Sequence, residues 1–168
     1  MSAFLISQIL IAIAILFDLI SFQFKERKKI VGCLCIAGTL ISVHFILLQQ
    51  YTSSGLMALA VIRYFLSMFT TSKSVMSIFI IFSLFFTAFT YTGLASLISC
   101  IGAVMQTIAA FCQHDKKLRK LMIIGTSFWL LNNYLVGSPA AVAMEILFIA
   151  SNLIGYYRFH IKPDLKSH

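Results

Sequence analysis

The sequence predicts an all-helical membrane protein with seven transmembrane helices, its N-terminus outside and its C-terminus inside. The first observation is composition: the 168 residues are 60% hydrophobic and 11% charged, with a mean hydropathy of +0.96. A soluble domain of this length cannot bury so much apolar surface. The second is that the apolar residues form long runs without the alternation of barrel strands. The third is that basic residues mark every second connection.

Seven apolar runs are long enough to be helices that cross a hydrocarbon core of about 30 Å, which needs roughly 20 residues. They are residues 3–24, 30–50, 54–72, 74–91, 94–113, 119–135 and 139–159. The first run is predicted to be a helix and not a signal peptide, because no basic segment precedes it and no A-x-A site follows it. Ser138 before Pro139 predicts a helix start, with the hydroxyl as N-cap.

Basic residues fix the predicted orientation. They follow helix one (Lys25, Arg27, Lys28, Lys29), helix three (Lys73), helix five (Lys116, Lys117, Arg119, Lys120) and helix seven (Arg158, Lys162, Lys166). The connections after helices two, four and six carry no charge. Because basic residues are retained on the cytoplasmic side, this pattern predicts N-out and C-in. The net charge of +8 is then explained by basic residues in the predicted cytoplasmic connections, near anionic lipid, and it does not indicate a nucleic-acid partner.

Two pairs of short segments predict an internal repeat. LLQQY at 47–51 is echoed by LLNNY at 130–134, and LISQI at 5–9 by LISCI at 97–101. The predicted organisation is a three-helix repeat (1–72), a linker helix (73–92), a second three-helix repeat (93–160) and a cytoplasmic tail (161–168). Both repeats carry their basic loop on the same face, so they are predicted to be parallel, as in SWEET-type transporters, with a substrate site near the midplane.

Four acidic, basic or histidine side chains fall within the predicted helices away from their terminal residues: Asp18, His44, Arg63 and Glu145. Each buried charge costs at least ~2.5–3.5 kcal/mol, so such groups face the interior and pair. Arg63 comes 12 residues after Tyr51 and Glu145 comes 11 after Tyr134, which predicts equal depth and an Arg63–Glu145 contact. The pair is either a structural clasp or a ligand-binding or gating pair. Asp18 lies nearer the cytoplasmic end and can serve as partner or reach the headgroups.

Further polar and aromatic residues complete the candidate site. His44 is read either as a hydrogen-bonded core histidine or as a proton carrier. Asn132 and Asn133 are predicted to be half interfacial, whereas the amides of Gln8, Gln106 and Asn152 are predicted to lie within the bundle. Trp129, with Tyr51, Tyr91 and Tyr134, is read first as an aromatic belt and second as a stacking platform. The candidate ligand-binding or gating residues are Gln8, His44, Arg63, Trp129, Asn133, Glu145 and Asn152.

Catalytic and cofactor motifs are missing from the sequence. It contains no G-x-S-x-G, no H-E-x-x-H and no paired intramembrane carboxylates at a useful spacing. The four cysteines form no zinc pattern and are read as reduced or packed thiols. We therefore expect no enzyme activity, no metal and no cofactor.

Several stretches resemble the YgjV-type bacterial inner-membrane proteins over nearly the whole chain. They are VHFILL (43–48), AVIRYFLS (60–67), WLLNNYLVGS (129–138) and MEILFIASNLIGYYRF (144–159). Position by position, His44, Arg63, Trp129, Asn133, Glu145 and Asn152 match the family pattern, and Asp18 does not. The three-one-three plan is more distantly similar to SWEET sugar transporters and PnuC-type carriers, but the proline–glutamine dipeptide of PQ-loop relatives is absent.

The function expected from these observations is a small-solute carrier of the bacterial inner membrane, for a sugar-, nucleoside- or vitamin-like molecule. Two three-helix bundles would rock around a midplane site. The alternative is a non-transporting membrane protein that assembles with or stabilises a partner. The expected partners are the lipid bilayer, a small solute and, in some arrangements, a second copy of the chain.

Overall fold

The computed structural model describes residues 2–21, 27–112, 114–157 and 161, and these contain seven α-helices and no strand. The helices are α1 (Ala3–Ser21), α2 (Arg27–Leu47), α3 (Tyr51–Ser67), α4 (Lys73–Phe89), α5 (Leu94–Ala110), α6 (Asp115–Leu135) and α7 (Pro139–Tyr156). The predicted all-helical class and the number of helices are confirmed over these residues. The C-terminal tail from 162 to 168 lies outside them.

Helices α2 and α6 begin earlier than predicted, at Arg27 and Asp115, so their basic residues lie in the first turns and not in loops. A positive charge at a helix N-terminus opposes the helix dipole. Helix-dipole interactions therefore do not account for basic residues at these positions. We call the end of the bundle where α2, α4 and α6 begin the basic end, and the opposite end the uncharged end.

The turns at the uncharged end share one hydrogen-bonding pattern. After α2, Gln49 adopts a φ of 58°, and the Gln50 amide donates to the Phe45 carbonyl at 2.8 Å. After α6, Gly137 adopts a φ of 72°, and the Ser138 amide donates to the Asn133 carbonyl at 3.0 Å. Both turns are left-handed caps of the Schellman type.

The helix ends place LLQQY and LLNNY differently, which corrects the predicted match. LLQQY begins at the last residue of α2 and runs through the turn into α3, whereas LLNNY lies inside α6. The sequence predicted that both segments end an even-numbered helix before an uncharged turn. LLNNY does lie in the last turns of α6, where its two asparagines bond within the bundle, whereas Gln49 and Gln50 belong to the turn that follows α2.

Six helices form a closed ring, in which each contacts the next in the order α1, α2, α3, α5, α6, α7 and back to α1. The contacts α3–α5 and α7–α1 are the two seams that join α1–α3 to α5–α7. Helix α4 packs outside the ring against α3 and α5. Large side chains on its outer face are exposed, including Ile81 (63%) and Phe89 (74%).

Close approach of α5 and α6 positions an aromatic ring in the interior. A Cβ added at Gly102 would lie 3.2 Å from the Gly125 carbonyl oxygen, and one added at Gly125 would lie 3.1 Å from the Gly102 carbonyl oxygen. Small residues allow this helix contact, as is common in membrane bundles. The Trp129 ring packs directly over Gly102.

The exterior of the described residues is rich in exposed apolar side chains on every helix, as a surface in contact with lipid tails requires. By length and composition, Pro139–Tyr156 is long and apolar enough to cross a membrane. Four more apolar segments are shorter: Ala3–Asp18, Gly32–Leu47, Lys73–Phe89 and Leu94–Ala110.

Candidate functional site

A cavity of about 410 Å³ lies between α1–α3 and α5–α7, and all six ring helices contribute to its wall. Such a volume is within the usual range for a small-molecule site. Polar groups on the wall come from α1, α3, α5, α6 and α7: Asp18, Tyr64, Gln106, Arg119, Thr126, Glu145, Ser151 and Asn152. We refer to this space as the central cavity.

The central cavity extends from the basic end into the middle of the bundle. Its wall reaches Leu118 and Arg119 in the first turns of α6, and Asn152 near the end of α7. Arg119 lies against Gly155 of α7, where an added Cβ would collide with the guanidinium. Towards the uncharged end, the wall on α6 extends to Trp129.

Hydrogen bonds at the uncharged end join α1 to the start of α7. Gln8 Nε2 donates to Ser138 Oγ at 3.2 Å, and the Ala140 amide donates to Gln8 Oε1 at 3.1 Å. The predicted N-cap role of the Ser138 hydroxyl is wrong, because this oxygen bonds Gln8 and makes no capping bond. Gln8 therefore closes the seam between α7 and α1 at this end.

His44 is fully buried beside the same closure. Its Nδ1 lies 3.0 Å from the Ser7 carbonyl oxygen of α1, and its ring packs edge-on against Phe45. This contact ties α2 to α1 and is that of a hydrogen-bonded core histidine. Nε2 has no hydrogen-bond partner among the described residues.

Asn132 and Asn133 are 0% and 1% exposed, so the prediction that they are half interfacial is wrong. Ser53 Oγ of α3 donates to Asn132 Oδ1 at 3.4 Å, and Asn133 Nδ2 donates to Glu145 Oε1 at 3.3 Å. Both amides face inward because they hydrogen-bond to side chains inside the bundle. The prediction had assumed that they would bond to water at the membrane interface.

Arg63 does not contact Glu145 directly, so the predicted pair is wrong in that form. The buried guanidinium donates through Nη1 to the Ala103 carbonyl at 3.1 Å and to Thr107 Oγ1 at 2.8 Å. Both acceptors belong to α5, so Arg63 does join the two halves of the ring, but across the other seam. The guanidinium carbon also lies 4.6 Å from the centre of the Tyr64 ring.

Helix starts explain why Arg63 and Glu145 differ in depth. Helix α3 begins at Tyr51, which places Arg63 about 18 Å along it, whereas α7 begins at Pro139, which places Glu145 only about 9 Å along. The sequence interpretation measured Glu145 from Tyr134, which lies inside α6.

Trp129 is 1% exposed and packs against Phe45, with ring centres 5.7 Å apart. It lines the central cavity, so it does not belong to an exposed aromatic belt. The tyrosines that were grouped with it are exposed: Tyr51 (55%), Tyr91 (55%) and Tyr134 (72%).

A second pocket of about 310 Å³ lies between α1 and α7 in the basic half, and we call it the side pocket. Its wall is mainly apolar, with Ile15, Leu147 and Ile154, and it shares Asp18 and Ser151 with the central cavity. The helices that Gln8 joins at the uncharged end are thus separated by a pocket in the basic half.

The candidate residues therefore divide into three groups. The first group lines the central cavity and comprises Asp18, Gln106, Trp129, Glu145 and Asn152. The second group makes hydrogen bonds near the uncharged end and comprises Gln8, His44 and Asn133. The third is Arg63, which lies in the α3–α5 seam. Sequence reasoning missed Thr107 as the partner of Arg63. Thr107 follows Ala103 by four residues, so the Thr107 hydroxyl and the Ala103 carbonyl lie on the same face of α5. This spacing was the available signal.

No group of three or more His, Cys, Asp or Glu side chains in the described ranges could hold a metal ion. Cys33, Cys35, Cys100 and Cys112 are free thiols.

Comparisons with known proteins agree on one family. Residues 5–162 match the family Imp-YgjV, described as bacterial inner membrane protein. The chain is 28% identical over 159 residues to the inner membrane protein YgjV of Escherichia coli strain K12, which covers 95% of this chain and 87% of that protein. No solved structure matches the chain.

Proposed function

The chain belongs to this family of bacterial inner membrane proteins, and we propose that it carries a small solute across that membrane through the central cavity. The observation that carries the proposal is the position of the cavity. It lies between the two halves of the ring, reaches the basic end, and is closed at the uncharged end by Gln8 and Ser138. A cavity between the two halves that lies nearer to one end of the bundle is the form expected of a carrier in one of its two states.

The proposed architecture comprises seven transmembrane helices, with α1–α3 and α5–α7 as parallel repeats and α4 as a peripheral linker. The same neighbour order in both halves and the shared turn pattern after α2 and α6 support it. The proposed orientation is N-out and C-in, supported by the basic first turns of α2, α4 and α6. A reporter enzyme fused after His168 should be active on the cytoplasmic side, and activity confined to the periplasm would contradict this orientation.

The proposed movement is a rocking of the two halves about the α3–α5 seam. Arg63 holds this seam in the basic half, and the Thr52 and Ser96 hydroxyls meet at 3.0 Å in the uncharged half. Closing the side pocket at the basic end while separating Gln8 from Ser138 would turn the cavity towards the other face. No bond in the α3–α5 seam has to break for this movement.

Solute uptake into liposomes that contain the purified chain tests the proposal. The assay compares a hexose, a nucleoside and choline, each radiolabelled, with Ser151→Trp as the blocking variant. Ser151 lines both the central cavity and the side pocket, so an indole there fills the route without replacing a buried side chain. We expect saturable uptake of at least one solute by the wild type and background uptake by Ser151→Trp.

The matched control is Ser127→Trp, which puts the same side chain at an exposed position of α6 away from both cavities. This variant should keep wild-type uptake. Uptake of none of the three solutes by the wild type, or equal uptake by the two variants, would contradict the carrier function.

A further inference from the structure

We propose that the central cavity selects an organic cation, a small molecule with a fixed or protonated amine on an apolar body. The inference rests on the proposed carrier function, because it names the class of solute for the same cavity. It starts from the charges and rings that the fold places on the wall.

Glu145 supplies the acidic group. It is 5% exposed, lines the cavity, and accepts one hydrogen bond, from Asn133 to Oε1. Its Oε2 has no hydrogen-bond partner among the described residues. Because the side chain is otherwise buried, the cavity is where this oxygen can meet a cation or a hydrogen-bond donor of a ligand. Asp18 on α1 adds a second acidic group to the same wall.

Among the described side chains, neither of the two arginines nearest to the cavity contacts Glu145. Arg63 makes its hydrogen bonds with α5 and does not line the cavity. Arg119 lies at the entrance against Gly155, about 15 Å further along α7 than Glu145 by helical rise. Within the described residues, the part of the cavity wall around Glu145 therefore carries acidic groups and no basic one, and Arg119 lies towards the basic end.

Aromatic and apolar groups define the rest of the binding surface. Trp129, Tyr64 and Phe148 contribute rings to the wall, together with Met57 and Met144. Ring faces attract cations and are better suited to an alkylammonium than to a bare metal ion, which needs several oxygen ligands. The volume of about 410 Å³ also fits an organic molecule and not a single ion.

Choline and 3,3-dimethylbutan-1-ol form a matched pair of probes, because they share one shape and differ in the positive charge. Trp129 is the single tryptophan of the chain and lines the cavity, so its emission reports occupancy without any substitution. Titration of the full-length protein in nanodiscs should give saturable changes with choline. Binding of the neutral isostere should be at least about tenfold weaker, the loss expected when one charge-assisted contact is removed.

Two variants test the residue that carries the charge. Glu145→Gln should weaken choline binding at least about tenfold, and Glu145→Asp should retain most of it because the charge remains. Should either variant fail to fold, the comparison of the two probes on the wild type still decides the proposal.

Equal binding of both probes, or no binding of choline, would overturn the selection of a cation, and choline binding that is unchanged in Glu145→Gln would overturn the role of Glu145. The carrier function would stand in that case if a neutral solute is taken up and Ser151→Trp blocks it. Absence of all solute uptake would instead reject the carrier, so the two failures are distinguishable.

Discussion

The two seams join the same two halves of the ring in different ways. Across the α3–α5 seam, Arg63 bonds Ala103 and Thr107 in the basic half, and Thr52 meets Ser96 in the uncharged half. Helix α4 covers this seam from outside. Across the α7–α1 seam, Gln8 bonds the start of α7 at the uncharged end, whereas the side pocket separates the helices in the basic half.

This difference indicates which seam can open. A seam that is bonded at both ends and covered by a further helix resists separation, and rotation about it is the least costly relative motion of the two halves. The α7–α1 seam is bridged at the uncharged end by a few neutral hydrogen bonds, each worth about 0.6 kcal/mol in a membrane bundle. A bound solute could supply an energy of that size.

Truncation of one residue in each seam sharpens the comparison, and the larger effect is expected at the α3–α5 seam. Arg63→Ala should lower the free energy of unfolding by about 2–4 kcal/mol, because charge-assisted bonds and buried packing are lost together. Gln8→Ala should lower it by only about 1 kcal/mol, since neutral bonds alone are lost. Reversible denaturation in mixed micelles measures both.

Arg63→Met is the matched control, because it keeps most of the side-chain length and removes the charge and the donors. It should recover part of the stability lost in Arg63→Ala. An equal loss for Gln8→Ala and Arg63→Ala would show that the two seams are alike and would break the comparison.

Composition and charge pattern were enough to predict the helical class and the number of helices, since both properties repeat on the scale of a whole helix. The prediction that α4 is peripheral agrees with its packing outside the ring, and it could be made because the predicted helix has no charged group to turn inward. The near-terminal basic residues and uncharged turns also lie at opposite ends of the helices, as the sequence indicated.

The interior contacts could not be predicted in the same way, because they depend on helix starts and facing. The beginning of α7 at Pro139 was predicted correctly, but Glu145 was counted from Tyr134, which lies inside α6, and was therefore given the depth of Arg63. Trp129 was misread because an aromatic residue near a helix end is common at membrane interfaces. Gly125, one turn before it, was the signal for close packing against α5.

The central claim is that the halves rock by opening and closing the α7–α1 seam, and locking each seam in turn tests it most directly. In a chain whose four cysteines are replaced by serine, Gln8→Cys with Ser138→Cys is joined by a short cleavable thiol linker. Thr52→Cys with Ser96→Cys forms the matched lock across the α3–α5 seam, as a disulfide. We predict that uptake falls to background with the α7–α1 lock, returns on reduction, and is largely unchanged by the α3–α5 lock. Uptake that survives the α7–α1 lock, or is lost with the α3–α5 lock, would contradict the account.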